Sequence, residues 1–128
     1  MLGKTKAFSS FSVNDIQQAK EFYQQQLGLE TAETPGMEML LTLKIAGGGT
    51  VMLYEKKDHA PATFTVLNFP VSSVEETVDR LTELGIKFLH YKGSINTDEK
   101  GISRGDGPVI AWFTDPAGNI LSVLENNG

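Results

Sequence analysis

The chain repeats itself. FSVNDIQQAKEFYQQQLGLE at 11–30 and FPVSSVEETVDRLTELGIKF at 69–88 share one plan: an F-x-V strand end, a polar cap, an apolar-periodic helix, Leu-Gly and a new strand. The registers agree to within one residue, pairing Phe11 with Phe69, Val13 with Val71, Ile16 with Val74, Leu27 with Leu84 and Gly28 with Gly85. In 128 residues such a repeat means two copies of one supersecondary unit inside a single domain, because one core usually occupies roughly 100–200 residues.

The spacing predicts a first helix over 14–27, with Ile16, Ala19, Tyr23 and Leu27 on one face, Phe22 beside them, and Gln17, Gln18, Glu21, Gln24 and Gln25 facing water. A second helix is predicted over 73–84, where Val74, Val78, Leu81 and Leu84 form the apolar stripe. Ser72 or Ser73 is its N-cap, with Glu75 or Glu76 completing a capping box. Gly28 and Gly85 stand where a helix ends in a left-handed residue. Strands are predicted at 5–13, 29–34, 38–45 and 50–55, and again at 63–71, 86–91, 108–114 and 119–125. The fold class is therefore α+β, two βαβββ modules over about 4–56 and 62–126 of one domain spanning 1–128. Asp115-Pro116-Ala117-Gly118 reads as a turn. The polar segment 93–107, GSINTDEKGISRGDG, is too long for a tight hairpin, and loops of that length are usually mobile or functional.

Composition removes several classes of function. The chain has no cysteine, so thiolate nucleophiles, disulfides and Cys-based metal sites are out. Net charge is −5 and the Lys and Arg residues are scattered, only Lys56 and Lys57 being adjacent, which leaves no footprint for a phosphate backbone. No apolar run approaches a bilayer span, and Met1 to Ala7 lacks the apolar stretch of a secretory signal. A cytoplasmic protein without nucleic-acid or membrane partners is expected.

Asp15-Ile16, Phe22-Tyr23 and Leu27-Gly28, a second helix ending in Leu-Gly, and FTDPAGN at 113–119 leading into ILSVLE at 120–125 occur together in one chain. This pattern resembles the vicinal oxygen chelate superfamily: glyoxalases, bleomycin-resistance proteins and extradiol dioxygenases. The resemblance implies a strongly curved mixed sheet built from the two modules, helices on its convex side and a concave cleft. In the enzymes of that family it also implies a divalent metal held from the first, fourth, fifth and last strands. Carried over position by position, those ligands fall on Phe8, Met52, Val66 and Ser122. None of the four is a strong ligand for a cation that wants imidazole or carboxylate. A slip of one residue leaves the cleft altogether, because side chains alternate along a strand. The cleft-facing sets read Phe8, Ser10, Ser12; Thr50, Met52, Tyr54; Phe64, Val66, Asn68; and Ile120, Ser122, Leu124, without His, Asp or Glu. Alternation sends Glu55 and Glu125 toward the convex face or the strand ends. No metal and no other cofactor is expected.

Of the two histidines, His59 reads as a solvated loop residue, whereas His90 points into the cleft or satisfies a core hydrogen bond. Trp112 and Phe113 adjoin each other, so one ring faces each side of the sheet. Arg104 reads as a solvated loop arginine rather than a rim clamp. GGGT at 47–50 lacks the Lys-Ser/Thr of a phosphate loop, no G-x-S-x-G or H-E-x-x-H is present, and no catalytic residue is assigned. The expected ligand-binding set is Phe8, Ser10, Ser12, Met52, Tyr54, Val66, Asn68, His90, Trp112 and Ser122. The expected function is metal-free binding of a small apolar or amphipathic molecule, in the manner of bleomycin-resistance proteins. The alternative is a metal-dependent lyase or dioxygenase with displaced ligands, His90 with Glu55, Glu99 or Asp106. A third reading is an interaction protein whose cleft is collapsed by Phe8, Met52 and Phe64. The resemblance further implies a homodimer, since relatives of this size often dimerise.

Overall fold

A computed structural model describes residues 1–105 and 107–125; Asn126, the expected end of the second module, lies outside the described residues. The chain divides into two compact units, Met1–Ala60 and Pro61–Gly128. In the first, a 3₁₀ turn at Leu2–Lys4 precedes β1 (Ser9–Val13), α1 (Ile16–Lys20), β2 (Glu30–Thr34), β3 (Met37–Lys44) and β4 (Thr50–Glu55). The second runs β5 (Thr65–Val71), α2 (Val74–Glu83), β6 (Ile102–Ser103), β7 (Ile110–Thr114) and β8 (Ile120–Glu125). Each unit forms one four-stranded mixed sheet, ordered β1-β4-β3-β2 in one and β5-β8-β7-β6 in the other. In both, the first strand lies parallel to the last and the other pairings are antiparallel. The repeat in the sequence is thus a repeat of βαβββ topology, and the class is α+β. No helix among the described residues is long and apolar enough to cross a membrane.

Local chemistry sets the helix ends. Asp15 accepts from the N–H groups of Gln17 and Gln18, and Ser73, of the two candidate serines, accepts from Glu76. Each module adds a second cap from its last strand: Glu55 Oε1 accepts the Ile16 N–H at 3.0 Å, and Glu125 Oε1 accepts the Val74 N–H at 3.0 Å. Helix starts carry unpaired N–H groups and partial positive charge, so a carboxylate suits both. Beyond Lys20, α1 widens into a π-helical stretch, Glu21–Gln26, in which Leu27 N–H donates to Phe22. Phe22 and Tyr23 are neighbours in sequence and both buried there, their rings meeting edge-on at 5.0 Å.

The core of each unit lies between its helix and one face of its sheet. Val13, Leu41, Leu43, Val51 and Leu53 are buried with Ile16, Ala19, Phe22 and Tyr23; Ala111, Phe113, Leu121 and Val123 are buried with Val74, Val78 and Ile86. Each large apolar side chain so placed contributes about 1.5–3 kcal/mol relative to exposure.

The strand expected at 86–91 is not formed. Phe88 makes a single bridge to Phe113, and Leu89 N–H donates to Trp112 at 2.8 Å. The chain then departs and returns as β6, pairing Ile102 and Ser103 with Ala111 and Ile110 along the same edge of β7. Gly101 makes this return possible. Its φ is +87°, and a Cβ there would lie 2.9 Å from the Phe88 Cβ and 3.0 Å from the Leu89 carbonyl oxygen. The excursion is also tied down: Asp98 Oδ1 accepts from Lys100 and Ile102, Tyr91 N–H donates to Thr97 Oγ1, and Lys100 reaches Asp79 at 3.0 Å and Glu75 at 3.2 Å on α2.

Two further expectations shift. Strands β1 and β5 start later than their sequence ranges, so Phe8 and Phe64 precede them and are 59% and 68% exposed. Met52 is half-buried, and none of these three fills a core. A bulge in β5 pairs Thr65 with Ile120 but Leu67 with Leu121. The extra residue breaks strict alternation, and Val66 has no partner in β8, whereas Asn68 faces Ser122.

Candidate functional site

One face of each sheet is covered by its helix; the other carries that unit's candidate residues. In the first unit, the cross-strand rows Ser10–Met52–Thr42 and Ser12–Tyr54–Leu40 lie on the helix-free face, because Phe11, Leu53 and Leu41 take the alternate positions toward the core. Ser10, Ser12, Met52 and Tyr54 are thereby brought together, and Phe8 lies one residue ahead of the strand.

That face gains a residue the sequence did not supply. Ser12 Oγ and His59 Nδ1 are 2.6 Å apart, and both side chains are half-buried. With Nδ1 unprotonated the serine donates, and with Nδ1 protonated it accepts. His59 is therefore no solvated loop histidine. Its delivery depends on the parallel β1–β4 pair: Lys56 N–H donates to Val13 O, and His59 N–H donates back to Lys56 O. No local pattern signals this; only the pairing of strand ends far apart in sequence could have.

In the second unit, Asn68, Ser122 and Trp112 form a single row across β5, β8 and β7. The Ser122 hydroxyl, fully buried, donates to Asn68 Oδ1 at 2.5 Å. Trp112 takes the helix-free side and meets the Tyr91 ring edge-on at 5.4 Å, while Phe113 is buried toward α2 with its ring 5.3 Å from Phe88. Ile110, Ile120 and Leu124 flank the row, half-buried. The result is a row with an indole at one end, an amide at the other and a small buried hydroxyl between.

His90 does not join them. Phe88 points toward the core beneath α2, and His90, two residues on, lines a groove of about 670 Å³ with Val78, Asp79, Thr82, Glu99 and Lys100. Arg104 is drawn to the same side, Nε lying 3.4 Å from Asp98 and a terminal nitrogen 3.7 Å from Glu75. Burial works to raise the Asp98 pKa, but the N–H groups of Ile102 and Lys100 and the Arg104 guanidinium outweigh it, holding the carboxyl below its ordinary value. Hydrogen bonds to Asp79 and Glu75 hold the Lys100 ammonium above its own. A second groove, about 530 Å³ at the β2–β3 hairpin between Gln17 and Met37, touches none of the expected site residues.

The family's four metal positions do not fit a divalent cation. Phe8, Met52 and Val66 offer no hard donor, and the Ser122 hydroxyl is turned to Asn68. Among displaced ligands, Glu55 is bonded to the start of α1, Glu99 shares the groove with His90, and Asp106 lies outside the described residues. Among the described residues no group of three or more His, Asp or Glu is placed to hold a metal ion.

Residues 8–123 match the family model of the Glyoxalase/Bleomycin resistance protein/Dioxygenase superfamily. The chain belongs to that superfamily. Similar solved structures include TnmS3, an antibiotic binding protein from Streptomyces sp. CB03234, with 22% identity, 97% of this chain and 98% of that one covered, and a TM-score of 0.69. A glyoxalase family protein from Bacillus anthracis is 18% identical over 99% and 100% of the two chains, with a TM-score of 0.71. FosX, a genomically encoded fosfomycin resistance protein from Listeria monocytogenes, is 16% identical over 97% and 94%, with a TM-score of 0.71. At these identities the likeness is one of fold. A search of curated protein sequences returned no match.

Proposed function

We propose that this superfamily member binds a small amphipathic molecule on the helix-free face of its second sheet and does so without a divalent metal. The observation that carries the reading is the row Asn68–Ser122–Trp112, an aromatic ring and a fixed polar pair with Ile110, Ile120 and Leu124 beside them. Small-ligand sites commonly combine apolar walls with a few placed polar groups. The likeness to an antibiotic binding protein and to a fosfomycin resistance protein supports the same reading. A cytoplasmic homodimer belongs to this proposal, its oligomeric state open to light scattering on the purified protein.

Trp112 is the only tryptophan in the chain, so its emission reports on this one face. A panel of amphipathic metabolites and antibiotics is screened by tryptophan emission and thermal shift together. A true ligand changes emission saturably and raises Tm, since a ligand at 100 times its Kd adds about 2.7 kcal/mol of stability. If no compound does either while circular dichroism shows folded protein, the proposal fails.

A further inference from the structure

We infer that Asn68 is a specificity-determining hydrogen-bond donor, and that the ligand is a planar aromatic molecule of two or three fused rings carrying a neutral carbonyl acceptor at the end away from Trp112. This inference rests on the proposed ligand-binding reading of the same face.

The orientation of the Asn68 amide is the starting point. Ser122 is fully buried, and a buried hydroxyl needs an acceptor within the protein. It finds one in Asn68 Oδ1. An amide whose oxygen is turned toward Ser122 turns its nitrogen the other way. Asn68 is exposed, and among the described residues nothing accepts from its Nδ2. Ser122 thus occupies the amide oxygen and leaves both Nδ2 N–H donors to the face.

The spacing gives the size of the partner. Asn68 and Trp112 occupy one row with β8 between them, and adjacent strands lie about 4.8 Å apart, so the amide and the indole stand on strands about 9.5 Å apart. Ser122 between them is fully buried, so it supports the row from beneath and only the amide and the indole are reachable from outside. A planar ring system spanning the row meets Trp112 with one end and Asn68 with the other. The net charge of −5 disfavours an anionic acceptor through the general field of the protein, and among neutral acceptors a carbonyl is the one proposed.

The test follows the single indole N–H signal in 1H–15N NMR spectra of the full-length protein during titration with coumarin, chromone and naphthalene, which share a bicyclic outline but differ in the carbonyl. In the wild type, coumarin or chromone binds about five- to tenfold more tightly than naphthalene, the worth of one ordinary hydrogen bond. Asn68→Asp replaces the donors with an acceptor, and the preference disappears. Ser122→Ala lets the amide turn, and the preference narrows. The ratio of affinities is the readout, because damage to folding weakens all three compounds together. Equal affinities in the wild type, or a preference that survives both substitutions, overturn the role of Asn68 while leaving ligand binding at this face intact. No movement of the indole signal with any compound overturns the inference together with the reading on which it rests.

Discussion

Glu125, the last residue of β8, accepts the backbone N–H of Val74 at the first turn of α2 from a distance of 51 residues along the chain. Glu55 does the same for Ile16. Two carboxylates that could have been metal ligands by type are helix caps by position. We expect Glu55→Ala and Glu125→Ala each to lower stability by about 1–2 kcal/mol, the usual worth of a lost cap. The glutamine variants keep an acceptor oxygen and lose less. Urea unfolding of the four variants is the check; a neutral effect of both alanines would remove the capping role.

Gly101→Ala is expected to destabilise by more than a change at a turn glycine in open space. Both Gly101 and Gly48 have positive φ, but only at Gly101 would the new Cβ press on Phe88 and the Leu89 carbonyl. Gly48→Ala costs about 1 kcal/mol for its backbone alone; Gly101→Ala costs that and the displacement of the chain at 88–89. Hydrogen exchange at the Leu89 amide, bonded to Trp112, accelerates in the second variant only.

Asp98 is expected to make stability fall in acid. Its carboxyl is held below the ordinary value of 3.8, so its contribution is present above that value and disappears as pH falls through the folded one. Asp98→Asn is therefore less stable than the wild type at neutral pH, and the gap closes in strong acid. Lys100 has the opposite sign. Raised above 10.5, it contributes below that value and loses its ion pairs to Glu75 and Asp79 as pH rises through the folded one. Unfolding measured from acid to alkaline pH, with Asp98→Asn and Lys100→Met beside the wild type, tests both limbs.

Protein purified without chelator is expected to contain far less than one equivalent of metal, and zinc, nickel, manganese and iron are expected to leave Tm unchanged. Elemental analysis and thermal shift provide the measurement. Near-stoichiometric metal that vanishes in His90→Ala or Glu99→Ala would instead establish a metal centre in the groove beside α2.

What the sequence made legible was what depends on near neighbours. Apolar periodicity located both helices, Ser73 emerged from the two serines offered, and alternation set Ser122 apart from Leu121 and Val123, as does its row with Asn68 and Trp112. What escaped depends on residues brought together from afar. The π-helical stretch at Glu21–Gln26 leaves α-like periodicity almost unchanged. The β5 bulge, which takes Val66 out of register, shows only against β8. The strand at 86–91 read well on its own letters, yet Gly101 folds back against it and divides the edge of β7 between two short pieces. His59 reaches Ser12 only because β1 and β4 run side by side. The sequence left the face of Trp112 open, and its pairing with Ser122 places the indole on the helix-free side.

The carboxylate clasps have a consequence for how such a chain arises. The last strand of each half ends on the acid that completes that half's opening helix, so neither helix start waits on the other half for that bond. A tandem duplication of a half-length gene would therefore deliver two finished units at once. The copies could then diverge on their helix-free faces, toward Ser12 and His59 in one and Asn68 and Trp112 in the other, without reopening the problem of how either half begins or ends.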